Sequence, residues 1–192
     1  MKELMAVFLD AIPNLGLSRA EGHNSGRQWT RAVLGFFRDI GTREGFKVHP
    51  DRTLGYFGRE YLVDLCWLKE SPTEHWMELA MESEWGNKYE ATYDFEKLLY
   101  LNAPLKLFVC SLGPANTQSF VKSAPTLVAN HKRRNSTEQY GVVMMPWGAK
   151  QRKAQMMEIE AFIIDGNGIR VWSENRSVPD LVMTNARKGV HS

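Results

Sequence analysis

A mixed α/β fold, with a central mixed β-sheet flanked by helices, is what this sequence predicts, and three observations carry the prediction. Short apolar runs rich in β-branched and aromatic residues recur along the chain, including YLVDLCWL, LKLFVC, YGVVMM and AFII. Segments with apolar residues at helical spacing lie between them. Gly, Pro and Asn punctuate the joins as turn signals rather than forming a linker or repeat. With 192 residues, 43% of them hydrophobic, the chain suits one well-buried core, so residues 1–192 read as a single domain.

The elements follow in order. In QWTRAVLGFFRDI, Trp29, Val33, Phe36, Phe37 and Ile40 share one face of an amphipathic helix. EYLVDLCWL and HWMELAMESEW then read as two strands, a hairpin joined through KESPTE. EATYDFEKLLYL places Ala91, Phe95, Leu98 and Leu99 on one side of a three-turn helix that ends before Pro104. LKLFVCS reads as a fully buried strand. A weaker helix spans about Asn116 to Asn130, with an expected interruption at Pro125. YGVVMM and MEIEAFII are strands, and DGNG is a hairpin turn into IRVW. A strand–helix–strand crossover of this kind is expected to be parallel and right-handed.

Lys+Arg (24) nearly balance Asp+Glu (22), giving a net charge of +2, so the balance favours neither a disordered charged chain nor a polybasic arm. No apolar stretch reaches membrane-spanning length, and MKELMAVFLDAIPNLG, acidic at Glu3 and Asp10, does not read as a signal peptide. Cys66 and Cys110 lie inside apolar strands without a CxxC or Cys/His cluster. Buried free thiols, no zinc site and a reducing, cytoplasmic setting are the expectation.

The chemistry resides in carboxylates. Asp64 interrupts an otherwise apolar strand, where an ionised group is costly unless paired, hydrogen-bonded or bound to metal. On the next strand Glu78, Glu82 and Glu84 share a face by the two-residue period, while Leu79, Met81 and Trp85 point the other way. Pairing of the two strands brings Asp64 toward Glu82 and Glu84. Such a cluster raises its own pKa values unless a cation is present, which a hard divalent ion such as Mg²⁺ supplies. Lys97 lies on the helix that follows.

The order VDL, ESEW, DFEKLL, LKLFVC resembles the PD-(D/E)XK, or restriction-endonuclease-like, nuclease superfamily over about residues 28 to 145. The resemblance implies a restriction-endonuclease-like core and a Mg²⁺-dependent nuclease, with Mn²⁺ as a substitute, acting as a DNA endonuclease of restriction, repair or defence type. Asp64 and Glu82 would hold the metal. Glu84 stands where the family's pattern has lysine, and Lys97 fits a lysine migrated to the helix; either one would activate the water. The alternative keeps the fold and drops the chemistry, leaving a nucleic-acid-binding or protein-interaction module.

The readings without function stand beside these. Asp94 can simply pair with Lys97 on an exposed helix face. Glu158 and Glu160 repeat the acidic-x-acidic pattern without a preceding Asp or a following helix, and read as edge-strand charge. Nucleic-acid contacts are expected from Lys132, Arg133, Arg134, Lys150, Arg152 and Lys153, with Trp147 nearby, and more weakly from Arg27, Arg31, Arg52 and Arg59. His23, in EGHNSG, reads as part of a turn. A homodimer is expected only by analogy with enzymes that cut both strands.

Overall fold

A computed structural model describes residues 1–15, 26–49, 62–131, 135–145 and 156–179. Among them, seven strands form one mixed sheet in sequence order: β1 (Lys47–His49), β2 (Leu65–Glu70), β3 (His75–Glu84), β4 (Leu105–Cys110), β5 (Gln139–Met144), β6 (Met156–Asp165) and β7 (Arg170–Pro179). The helices are α1 (Lys2–Ala11), α2 (Gly26–Arg43), α3 (Lys88–Tyr100) and α4 (Pro114–Asn130).

The middle three strands are parallel and the outer pairs antiparallel. This pattern follows from the connections. Short turns join β2 to β3 and β6 to β7, whereas α3 and α4 carry the chain back between β3, β4 and β5.

Strand alternation sorts the side chains into two cores. Leu79, Met81, Leu107, Val109 and Val143 pack with Phe8, Val33 and Phe37 of α1 and α2. Ala80, Phe108, Cys110, Tyr140 and Val142 pack on the other face with Phe95 and Leu98 of α3 and Phe120 of α4. The parallel strands, covered on both faces, are therefore continuous apolar runs. On the first face, Gly41 lets Trp67 approach α2 closely enough for its indole N–H to donate to the Phe37 carbonyl at 3.1 Å.

Local chemistry explains the termini. Asn87 caps α3 by accepting from the Tyr89 and Glu90 amides, and Glu90 returns the bond to the Asn87 amide, completing a capping box. In the DGNG turn the Asp165 carboxylate accepts from the Asn167 and Ile169 amides, and Gly168 adopts φ +80°.

Three expectations change, and one element is added. Residues 2–11, read only for the absence of a leader, form helix α1, with Met5, Phe8 and Leu9 buried. Pro125 does not interrupt α4, which runs on to Asn130. β6 is not an edge strand, since β5 and β7 flank it; Glu160 instead pairs with Arg170 at 2.6 Å, and Glu158 accepts from the Ser177 hydroxyl. Asp64 lies just before β2 rather than within it, following Leu62 at φ +46°. No helix among the described residues is long and apolar enough to cross a membrane.

Candidate functional site

Glu82 and Glu84 lie at the C-terminal end of β3, opposite Phe108 and Cys110 of the parallel neighbour, where α/β sheets present their ligand-binding crevices. They share a face with Ala80, beneath α3. Glu78 does not join them. The β2–β3 register shifts between Trp67 and Leu68, so Met77 packs on the same side as Ala80 and the two-residue period breaks at Glu78.

Asp64 reaches β3 through its side chain: the Ser83 amide donates to Oδ2 at 2.8 Å. The missing strand geometry at Asp64 is thus replaced by a carboxylate–backbone bond. Burial raises the Asp64 pKa, and the Ser83 amide and the Lys97 charge oppose that rise.

Glu82 is 2% exposed. Burial pushes its pKa up to about 8, only partly countered by Lys97 and reinforced by the charge of Asp64. Lys97 Nζ stands 2.7 Å from Glu82 Oε1 and 2.9 Å from Asp94 Oδ1. The ammonium therefore stands within ion-pair distance of both carboxylates at once. The Tyr93 ring lies over Lys97, 5.8 Å from Nζ to its centroid. Burial alone would lower the lysine's pKa; the two carboxylates outweigh it, and Lys97 remains an ammonium.

Glu84 has a different partner: its carboxylate accepts from the Gly86 amide, and burial, reinforced by the nearby charges of Asp94 and Glu90, raises its pKa. Of the two candidates for assisting Glu82, Lys97 is the one in contact. An open groove of about 630 Å³ along α3, lined by Tyr89, Tyr93 and Glu96 among others, runs up to the residue that covers Lys97.

The chain therefore brings together Asp64, Glu82 and Lys97, with Glu84 at one remove. Sequence reasoning had treated Asp94 as a competitor for Lys97, whereas the lysine touches both Asp94 and Glu82; spacing signals an i,i+3 pair but not a second partner across the helix–sheet interface. Lys132, Arg133, Arg134, Lys150, Arg152 and Lys153, with His23, Arg52, Arg59 and Trp147, lie outside the described residues, as does the Arg27 side chain; Arg31 is exposed on α2. Cys66 and Cys110 are buried and unpaired, and burial raises both thiols, Cys66 to about 11. Among the described residues no three His, Cys, Asp or Glu side chains converge as a metal-binding group.

No family model matches the chain, and no curated protein does. It is similar to a solved structure of a CN-hydrolase superfamily protein from Xanthomonas campestris, which carries an arsenic adduct in its active site, at 14% identity and a TM-score of 0.38. The match covers 67% of this chain and 46% of that one, so the chain spans less than half of the solved protein. A likeness this distant says nothing about activity here. The PD-(D/E)XK reading is nevertheless corrected: no family model and no curated protein supports it. The Mg²⁺-dependent DNA endonuclease and its inactive nuclease-fold alternative fall with it. The reason is physical. An Asp before one strand, two acidic residues a pleat apart on the next and a lysine on a following helix are a small pattern, and it fixes neither a superfamily nor a substrate. What the structure shows is a mixed α/β sheet flanked by helices, with no specific core type attached.

Proposed function

We propose that Asp64, Glu82 and Lys97 form the acid–base centre of a hydrolytic enzyme. One observation carries the reading: Glu82 is a buried carboxyl held at about 8, in contact with an ammonium. A group whose pKa lies near neutral pH both accepts and returns a proton readily. Glu82 would take the proton from an attacking water and later return it to the leaving group. Lys97 would stabilise the negative charge that develops on the substrate oxygen. Asp64 would hold the end of β3 in place through the Ser83 amide.

Mg²⁺ is the proposed cofactor. The fit rests on the chemistry of the pair: Glu82 and Asp64 are two carboxylates close enough for the charge of one to raise the pKa of the other, and Mg²⁺ commonly takes one or two carboxylates and completes its shell with water. When bound, the ion would supply a water of lowered pKa.

The test is hydrolysis of chromogenic ester, amide and phosphomonoester substrates, with and without Mg²⁺ or Mn²⁺, together with calorimetric titration of each ion. Hydrolysis that falls by on the order of 10²-fold or more in Glu82→Gln supports the reading. Full activity in that variant, or no hydrolysis by the wild type across the panel, counts against it. Undiminished Mg²⁺ affinity in Asp64→Asn/Glu82→Gln would remove the cofactor assignment alone.

A further inference from the structure

We infer that Asp94 is the positioning residue of this site, fixing the Lys97 ammonium at Glu82. The inference rests on the acid–base reading above for its functional meaning, but its geometry stands independently. Lys97 has a flexible four-carbon stem, and a lysine on a helix surface ordinarily turns its head to water. Here the side chain is only 29% exposed and its head stands between two carboxylates, 2.7 Å from Glu82 and 2.9 Å from Asp94. One contact sets a distance; two set a position. Tyr93 closes a further side.

Asp94 lies on the sheet side of α3. Its side chain is 15% exposed, one helical turn before Lys97, and it is close enough to Glu84 for its charge to raise the Glu84 pKa. The backbone beneath both residues is fixed by Phe95 and Leu98, which are fully buried, and by the capping box at Asn87. The ion pairs therefore run from Asp94 through Lys97 to Glu82, joining α3 to the buried strand carboxylate. An exposed i,i+3 pair would need none of this burial and would contribute little.

The test uses the full chain and reads Lys97 directly. In the wild type, the Lys97 side-chain ammonium is expected to give a resolved ¹⁵N NMR signal and to react slowly with an amine-acylating reagent. Asp94→Asn keeps the shape and removes the charge; it is expected to abolish the signal and speed acylation of Lys97, while Asp94→Glu restores both. Thermal unfolding of each variant separates this from loss of the fold, which would change the melting temperature without being rescued by Asp94→Glu. An unchanged signal and acylation rate in Asp94→Asn overturns the inference, whatever the hydrolysis assay gives. If the signal is lost and hydrolysis also falls about 10²-fold in kcat at constant KM, positioning and function are joined. If the signal is lost but neither Asp94→Asn nor Lys97→Ala affects hydrolysis, the positioning stands and the acid–base reading fails.

Discussion

Lys97 on α3 and Glu82 on β3 meet at 2.7 Å although the glutamate side chain is 2% exposed and the lysine side chain 29%. A buried carboxyl at the mouth of a sheet is thereby kept in touch with a charge that water can reach. Its energetics lead to the first prediction.

Folding raises the Glu82 pKa from an unfolded value of 4.5 to about 8, so the folded chain binds more protons between those limits. Stability should therefore fall as pH rises from 5 to 8, by on the order of 3 kcal/mol from this residue. Asp64 and Glu84 are shifted in the same direction and add to the slope. Glu82→Gln should flatten the profile and be more stable than wild type at pH 8. Urea unfolding midpoints at several pH values read this out; a stability that rises from pH 5 to 8 contradicts it.

A second buried network lies at the opposite end of the parallel strands. Lys106, with no solvent exposure, contacts Glu138 at 2.7 Å and donates to the Tyr140 hydroxyl at 3.1 Å, while that hydroxyl donates to Glu138 at 2.6 Å. Lys106→Met strands a buried carboxylate and should cost about 3–5 kcal/mol. Lys106→Met/Glu138→Gln should recover much of that loss. Chemical denaturation of the two single variants and the double variant closes the cycle, and additive losses would show that the pair is not coupled.

Pro125 sits inside α4 without ending it, leaving the Val121 carbonyl without its helical donor. Pro125→Ala should stabilise the protein by about 1–2 kcal/mol, less than the full cost of an interior proline because the proline also restricts the unfolded chain. A lowered melting temperature would mean that the ring makes contacts that outweigh the lost bond.

Gly168 is required by its turn on two counts. Its φ of +80° disfavours a side chain, and a Cβ there would lie 2.5 Å from the Pro125 carbonyl oxygen. Gly168→Ala should cost about 2 kcal/mol or more and shift the β6–β7 turn against α4. Melting temperature and amide hydrogen exchange at Ile169 are the measurements; wild-type values in both would refute it.

The period of the apolar residues made most of the sheet legible. LKLFVC and YGVVM are continuous because both faces are covered, and α3 was readable from Ala91, Phe95 and Leu98. Helix α1 was missed because its residues were weighed only as a possible leader. The bulge at Glu78 was invisible because pleat arithmetic assumes an unbroken ladder. Asp64 and Glu82 stood out as carboxylates on apolar strands, and Lys97 by its place on the helix that follows. That Asp94 and Glu82 hold one lysine together was not legible, since nothing local says how α3 lies on β3. The superfamily assignment failed for the complementary reason: residue order was treated as if it carried ancestry.

The two margins of the sheet are unequal. Among the described residues β1 has three residues and β7 ten, the latter carrying Arg170, Glu174 and Arg176 already engaged with Glu160 and Asp10 or with each other. A strand added at β7 would have to lie beside a row of satisfied charges. The same charge pairs that fasten β7 to α1 and β6 therefore discourage the sheet from extending itself from one molecule to the next.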